Sequence, residues 1–207
     1  MKIWGRANSS NVQKVMWAAA ELGLTVQRID AGGAFGITRT PEYLAMNPNA
    51  LVPTLEEDDG WSLWESHAIL RYLAGLHGAG SLLPDSPRSR AEADRWMDWL
   101  HTTLGPPMTV VFWQIVRVPA EQKDAQALAT ATARCIELYG QFDRALAGRS
   151  YIADERLTIG DIAIAVHVNR WLRLVEARPA MAALEAWHAR IAARPAYREH
   201  VSGIPIT

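Results

Sequence analysis

Cysteine is nearly absent from this chain: Cys135 is the only one among 207 residues. An internal disulfide and a cysteine-based metal site are thereby excluded, and a reducing compartment is expected. Long apolar runs are missing as well, because Arg, Gln or Glu interrupts each one before it reaches the length of a membrane span. The opening MKIWGRANSS has no apolar core of the kind a signal peptide carries, so a cytoplasmic location is expected. Charge is balanced, at 21 Lys plus Arg against 22 Asp plus Glu. That gives no basis for binding nucleic acid or an anionic membrane. The six histidines show no HExxH or other ligand spacing, and no metal is expected. Internal repeats and low-complexity tracts are also missing. What is present is ordinary for a globular protein, with 49% apolar and 21% charged residues. The length suits one large domain or two small ones.

The stretch Asn47 to Ser66, NPNALVPTLEEDDGWSLWES, is the organising one. Pro53 falls where Val52, Thr54 and Leu55 begin a strand. Proline cannot donate to a sheet ladder, so it belongs at a strand's first residue, an edge or a bulge. A proline held there is often cis. A cis bond would leave the N–H and C=O of Val52 turned from the sheet, able to pair with a peptide backbone as an added strand does. The alternative is an ordinary hairpin whose proline marks an edge. Asp58-Asp59-Gly60 supplies the turn, and Trp61-Ser62-Leu63 alternates as a short second strand. Glu65-Ser66 then opens a helical pattern through Ile69, Leu70, Tyr72, Leu73 and Leu76. Serine and open N–H groups at a helix start make a site for a carboxylate.

In chain order, Lys2-Ile3-Trp4 reads as a strand ending at Gly5. A polar turn, Arg6 to Ser10, leads to a helix with Val12, Val15, Met16, Ala19 and Leu22 on one face. Val26, Arg28 and Ile29 predict a second, parallel strand. The loop AGGAFGITRT follows, and Pro41 starts a short helix. The first 77 residues are thus β-α-β, a loop-helix, then β-β-α, a thioredoxin-like order. Residues 78–87 read as a Gly/Pro/Ser linker. From 88 to 207 only helical patterns appear, over 88–104, 108–115, 121–146, 159–171, 180–193 and 196–202. Gly105-Pro106-Pro107 is expected to kink or break the chain between the first two.

WGRANSSNVQKV, NPNALVPTL, WESHAILRYL and LTIGDIAIA, in this order, resemble the motifs of the soluble glutathione transferases. They match, in turn, the family's strand-to-helix turn, cis-proline loop, γ-glutamyl site and a capping box in the helical half. The resemblance covers essentially the whole chain and is nearest to bacterial members around the theta, zeta and nu classes. It implies an α/β thioredoxin-like glutathione-binding domain over 1–77, and an all-α domain over 88–207 that takes the second substrate. It also implies a homodimer, glutathione as co-substrate, a hydrophobic electrophile as second substrate, and a role in detoxification. Ser10, Leu51, Val52, Pro53, Glu65 and Ser66 are the expected glutathione contacts, with Phe35, Thr38 and Arg39 as candidates at its glycine end. His101, Met108, Phe112, Trp113, His167 and Trp171 are the expected second-substrate residues. Three positions depart from the family's usual pattern: Ala50 replaces a frequent Gly, Leu51 a charged or amide residue, and His67 the usual Asn.

The residues themselves restrict the chemistry. A thioredoxin-fold oxidoreductase places CxxC at the start of the first helix. Here that turn is Ser9-Ser10-Asn11, so any thiol must be borrowed, and glutathione supplies one. Lowering a thiol pKa from about 8.5 to about 6.5 takes roughly 2.7 kcal/mol and raises the thiolate fraction at neutral pH from roughly 3% to about three quarters. One charge-assisted hydrogen bond contributes about 1.5–3 kcal/mol, and the helix end up to about 1. Ser9 and Asn11 are therefore the expected catalytic residues, and no general base is needed. The competing reading of the same turn is a plain N-cap cluster. At the level of function, the alternatives are a glutathione-dependent disulfide reductase or peroxidase of nu-like type, and a non-enzymatic binding protein on the same fold.

Overall fold

The computed structural model describes residues 1–207. Its first part runs β1 Lys2–Trp4, α1 Ser10–Glu21, β2 Gln27–Ile29, α2 Pro41–Met46, β3 Thr54–Glu56, β4 Ser62–Trp64 and α3 Ser66–His77. The four strands form one sheet in the order β2-β1-β3-β4, with β1 and β2 parallel and the other pairs antiparallel. Ile3 and Leu55 face each other across the β1–β3 ladder. Both are fully buried, in one cluster with Val12 and Val15 of α1 and Ile69 and Leu73 of α3. Burial of each such side chain contributes about 1.5–3 kcal/mol, which fixes both helices on one face of the sheet. The short α2 is started by Thr40, whose hydroxyl accepts from the Tyr43 N–H at 3.3 Å, with Pro41 at its first position.

By internal contacts the chain forms two compact units, Met1–Leu83 with Pro195–Pro205, and Pro84–Arg194 with Ile206–Thr207. The helical half read over 88–207 thus gives up its last turns to the sheet unit. The reason is α1, whose Trp17 is fully buried on the side away from the sheet. Tyr197, in the short α9 Pro195–Tyr197, meets that ring edge-on at 4.9 Å. The π turn Arg198–Ser202 packs along the same helix.

The second unit is helical throughout: α4 Pro87–Trp99, α5 Gly105–Phe112, α6 Ala125–Leu146, α7 Ile159–Leu174 and α8 Ala182–Ala192. The expected break at Gly105-Pro106-Pro107 is a π turn, Leu100–Leu104, through which the chain stays helical. The Gly105 N–H reaches back to the Leu100 carbonyl, and a Cβ at Gly105 would lie 2.9 Å from that oxygen. The wider turn puts the prolines at the start of α5, where a missing N–H is tolerated. Nor does the helix read from Glu121 begin there. It starts at Ala125, where the Asp124 carboxylate accepts from the Ala127 N–H at 2.8 Å.

Burial of α7 is nearly complete, and it crosses α4 so closely that a Cβ on Gly160 would sit 3.0 Å from the Ala93 Cα. Its start is the capping box read from Thr158 and Asp161. No helix is long and apolar enough to cross a membrane.

Candidate active site

Three backbone elements of the first unit converge on the turn after β1. Gly5 makes this possible, because a Cβ there would lie 2.3 Å from Val12 Cγ2 and 3.2 Å from Val52 Cβ. Only glycine lets the start of α1 and the Val52 loop close on one point. Gly32 backs the same loop from the other side, at φ 75°, with Val52 Cγ1, Arg6 and Thr38 all within 3.6 Å of where its Cβ would be.

The Val52–Pro53 bond is cis, as Pro53 at the head of β3 suggested. Neither the N–H nor the C=O of Val52 has a partner in the chain. The residues around it are firmly held. Tyr43 donates its hydroxyl to the Leu51 carbonyl at 2.6 Å and lies 2.9 Å from Thr54 Oγ1. Asn47 Nδ2 donates to the same two oxygens at 2.9 and 3.0 Å. Burial pushes the Tyr43 hydroxyl pKa up, against the opposing pull of Thr54 and Asn47. A loop clamped on both sides of one open backbone residue is built to pair that residue with something else. Leu51, expected as a contact, offers an exposed side chain, while its carbonyl is taken by the clamp. Ala50 sits at φ 55°, a conformation that glycine adopts with less strain.

Ser9 is the N-cap of α1 by backbone conformation, yet its hydroxyl makes no cap bond and has no other partner in the chain. It is nevertheless only 8% exposed. A plain N-cap cluster would turn that oxygen onto its own helix, so this arrangement disfavours the simple reading. Ser10 follows as the first helical residue, and Asn11, exposed, as the second. Asn11 Oδ1 accepts from Lys14 Nζ at 3.1 Å, which leaves the amide nitrogen on the side away from Lys14.

At the start of α3, Glu65 takes φ 72°, a conformation that costs a non-glycine residue about 1–3 kcal/mol and recurs at ligand sites. Its side chain caps nothing. Ser66 is 5% exposed, and its hydroxyl has no partner in the chain. The first turn of α3 is bound to the first turn of α1 through Lys14, whose Nζ lies 3.2 Å from His67 Nε2. Ser9, Asn11, Val52 and Ser66 thus belong to elements tied together within one unit.

The family model for the glutathione S-transferase N-terminal domain matches residues 8–76, and that for the C-terminal domain matches 93–195. The chain belongs to the glutathione S-transferase family. It is 39% identical over 206 residues to glutathione S-transferase GstB of Escherichia coli K12, covering 99% of both chains. The crystal structure of a theta-class glutathione S-transferase from Xanthomonas axonopodis pv. citri with glutathione bound superposes with a TM-score of 0.94. The two are 42% identical, over 100% of this chain and 98% of that one. Glutathione S-transferase 3 of Zea mays is 28% identical over 218 residues, covering 100% of this chain and 95% of its own.

The six residues expected at the second substrate are not alike. Met108 is 1% exposed and Trp171 fully buried, stacked on Tyr139 at 4.9 Å. Both are core residues of the helical unit. Phe112 is 8% exposed, with the Arg170 guanidinium 4.4 Å from its ring centroid. Trp113 and His101 are exposed, and His167 is half-buried. At the expected glycine end, Phe35 and Arg39 are exposed and Thr38 half-buried. Sequence reasoning missed Lys14, Tyr43, Asn47 and Arg6. The first three bind the loop and the helix starts, while Arg6 lies against Gly32 and Gly33. For Lys14 the available signal was its i, i+3 spacing from Asn11.

Proposed function

We propose that glutathione binds with its γ-glutamyl carboxylate at the start of α3, its cysteinyl backbone paired to Val52, and its sulfur at Ser9 and Asn11. The chain is a glutathione transferase, and glutathione is its co-substrate. What carries the residue assignment is a single pattern. On elements tied together within one unit, the Ser9 hydroxyl, the Val52 backbone and the Ser66 hydroxyl have no partner in the chain. All three face chemistry that glutathione presents: a thiolate, a peptide unit and a carboxylate. Two helix N-termini add positive potential where the two anionic groups sit.

The test is Ser66→Ala. Loss of a hydrogen bond to a charged group at a helix start costs about 1.5–3 kcal/mol. Glutathione affinity by titration calorimetry should fall more than tenfold, with an unchanged melting midpoint. Unaltered affinity would remove Ser66 from the site.

The second substrate is a hydrophobic electrophile taken up on the helical unit, where Trp113 offers an exposed ring beside the buried Phe112. Attack by the bound thiolate forms the carbon–sulfur bond and expels the leaving group. Asn11 keeps a glutathione-dependent disulfide reductase in view as a second reading, since its amide is held by Lys14 in one orientation. The functional molecule is a cytoplasmic homodimer, consistent with the edge strand β4, its exposed Trp64 and the exposed Trp61 just before it. Light scattering on a sizing column should return twice the chain mass. A monomeric mass at micromolar concentration would reject the dimer.

A further inference from the structure

Lys14 is 3% exposed, and its ammonium sits between the first turns of α1 and α3. Nothing in the peptide chemistry of glutathione binding described above uses it. A lysine almost never loses its hydration without a purpose or a set of partners. Two of its contacts are specific: Asn11 Oδ1 at 3.1 Å on its own helix, and His67 Nε2 at 3.2 Å on the next.

Each contact has a consequence. An ammonium only donates, so the Asn11 side chain must present its oxygen to Lys14. The amide could otherwise flip, because nothing else in the chain holds Asn11. With the oxygen bound, the NH2 end is the one that remains for a ligand. Asn11 is exposed, so without Lys14 its amide would sample several rotamers and both flip states. His67, for its part, must offer a lone pair at Nε2, which selects the tautomer with hydrogen on Nδ1. It also anchors Lys14 from the neighbouring helix, so that the Asn11 amide is oriented relative to α3 as well as α1.

We propose that Lys14 is a positioning residue of the thiolate site. Its ammonium, braced by His67, fixes the Asn11 amide with its N–H groups turned to the glutathione sulfur. This rests on the assignment of Asn11 above and adds to it the device that makes an exposed asparagine a directed donor. The same contacts account for His67, which departs from the asparagine usual in the family. Either side chain supplies one acceptor for the ammonium.

The experiment is the thiolate absorbance of bound glutathione against pH, for Lys14→Met, Lys14→Gln, Asn11→Ala and the double variant Lys14→Met/Asn11→Ala. Lys14→Met should raise the thiol pKa by about one unit, roughly a threefold loss of thiolate at neutral pH. Lys14→Gln keeps a donor for Asn11 Oδ1 and should raise it by less. The double variant should be no worse than Asn11→Ala alone, because Lys14 acts through Asn11. Shifts that add would overturn the proposal, and so would equal shifts for Met and Gln. If Asn11→Ala leaves the pKa unmoved, the assignment of Asn11 falls and this proposal with it. If Asn11→Ala shifts the pKa and a folded Lys14→Met does not, only this proposal falls. Should Lys14→Met fail to fold, Lys14→Gln decides: a full one-unit rise in that variant would also overturn the positioning role.

Discussion

Asp161→Ala should lower the stability of the chain by about 3–5 kcal/mol, the largest effect expected of any single change outside the hydrophobic core. Asp161 is fully buried, and its two oxygens accept four hydrogen bonds. Oδ1 takes the Ile152 N–H and the Trp187 Nε1–H, both at 2.9 Å. Oδ2 takes the Thr158 N–H at 2.9 Å and the Thr158 hydroxyl at 2.8 Å. One carboxylate thereby joins the start of α7 to the segment before it and to α8. Alanine would leave three N–H donors buried without a partner, each costing about 1–3 kcal/mol before relaxation. A capping interaction alone would account for only about 0.5–2 kcal/mol.

Asp161→Asn separates the two explanations. Asparagine restores one acceptor and turns an NH2 toward donors that need the other. If Asp161 merely caps α7, asparagine should recover most of the loss; if it is a four-donor hub, it should recover little. Burial is also the first cause pushing its carboxyl pKa up, only partly offset by those donors. A folded value above the unfolded one means that its contribution is full below the unfolded pKa. That contribution declines as pH rises through the folded value, so acid does not act on the fold through this group. The melting midpoint of Asp161→Ala should fall by roughly 10–15 °C, with glutathione affinity kept by the protein still folded. An unchanged midpoint with lost binding would move Asp161 from the scaffold to the site.

Local rules were enough for much of this molecule. Pro53 at the head of a strand, glycine at the turn after β1, and Thr158 three residues before Asp161 each announce a backbone event that involves only near neighbours. The sheet order follows from the same local patterns, since β-α-β and β-β-α leave few ways to pair four short strands. What escaped the sequence are contacts made by residues distant in the chain. Gln13 and Lys14 read as the polar side of an amphipathic α1, yet both are buried. Their cover comes from α3 and from residues beyond 195, which no window of α1 can reveal. Trp171 and Met108 carry an aromatic or sulfur side chain at helical spacing, which fits a pocket wall and a core equally well. Burial on almost every side of α7 decides for the core at Trp171. Pro106 and Pro107 suggested a break because the π turn that absorbs them has no signature of its own.

The sulfur site should divide its effect between two residues, so that neither Ser9→Ala nor Asn11→Ala abolishes activity and the double variant loses far more. Ser9 contributes a buried hydroxyl with no partner in the chain, and Asn11 an amide whose oxygen is already bound. Each is one hydrogen bond to an anion, and its loss should raise the pKa of bound glutathione by about one unit, near 1.4 kcal/mol. Thiolate at neutral pH then falls from about three quarters to about a quarter, roughly threefold, and the rate with it where chemistry limits turnover. With both removed, only the α1 N-terminus and its open N–H groups remain. That end is worth about 1 kcal/mol at most, so the double variant should fall to only a few per cent thiolate, a loss of roughly twenty-five-fold. The measurement is thiolate absorbance of the binary complex against pH, for wild type and the three variants, beside turnover with a haloarene and with a disulfide. A full loss in Ser9→Ala and none in Asn11→Ala would make this a serine-type transferase site. The reverse, with disulfide turnover failing first, would favour the reductase reading. If no variant moves the curve, the turn is a helix cap, and a glutathione-binding protein without thiol activation becomes the better description of this site.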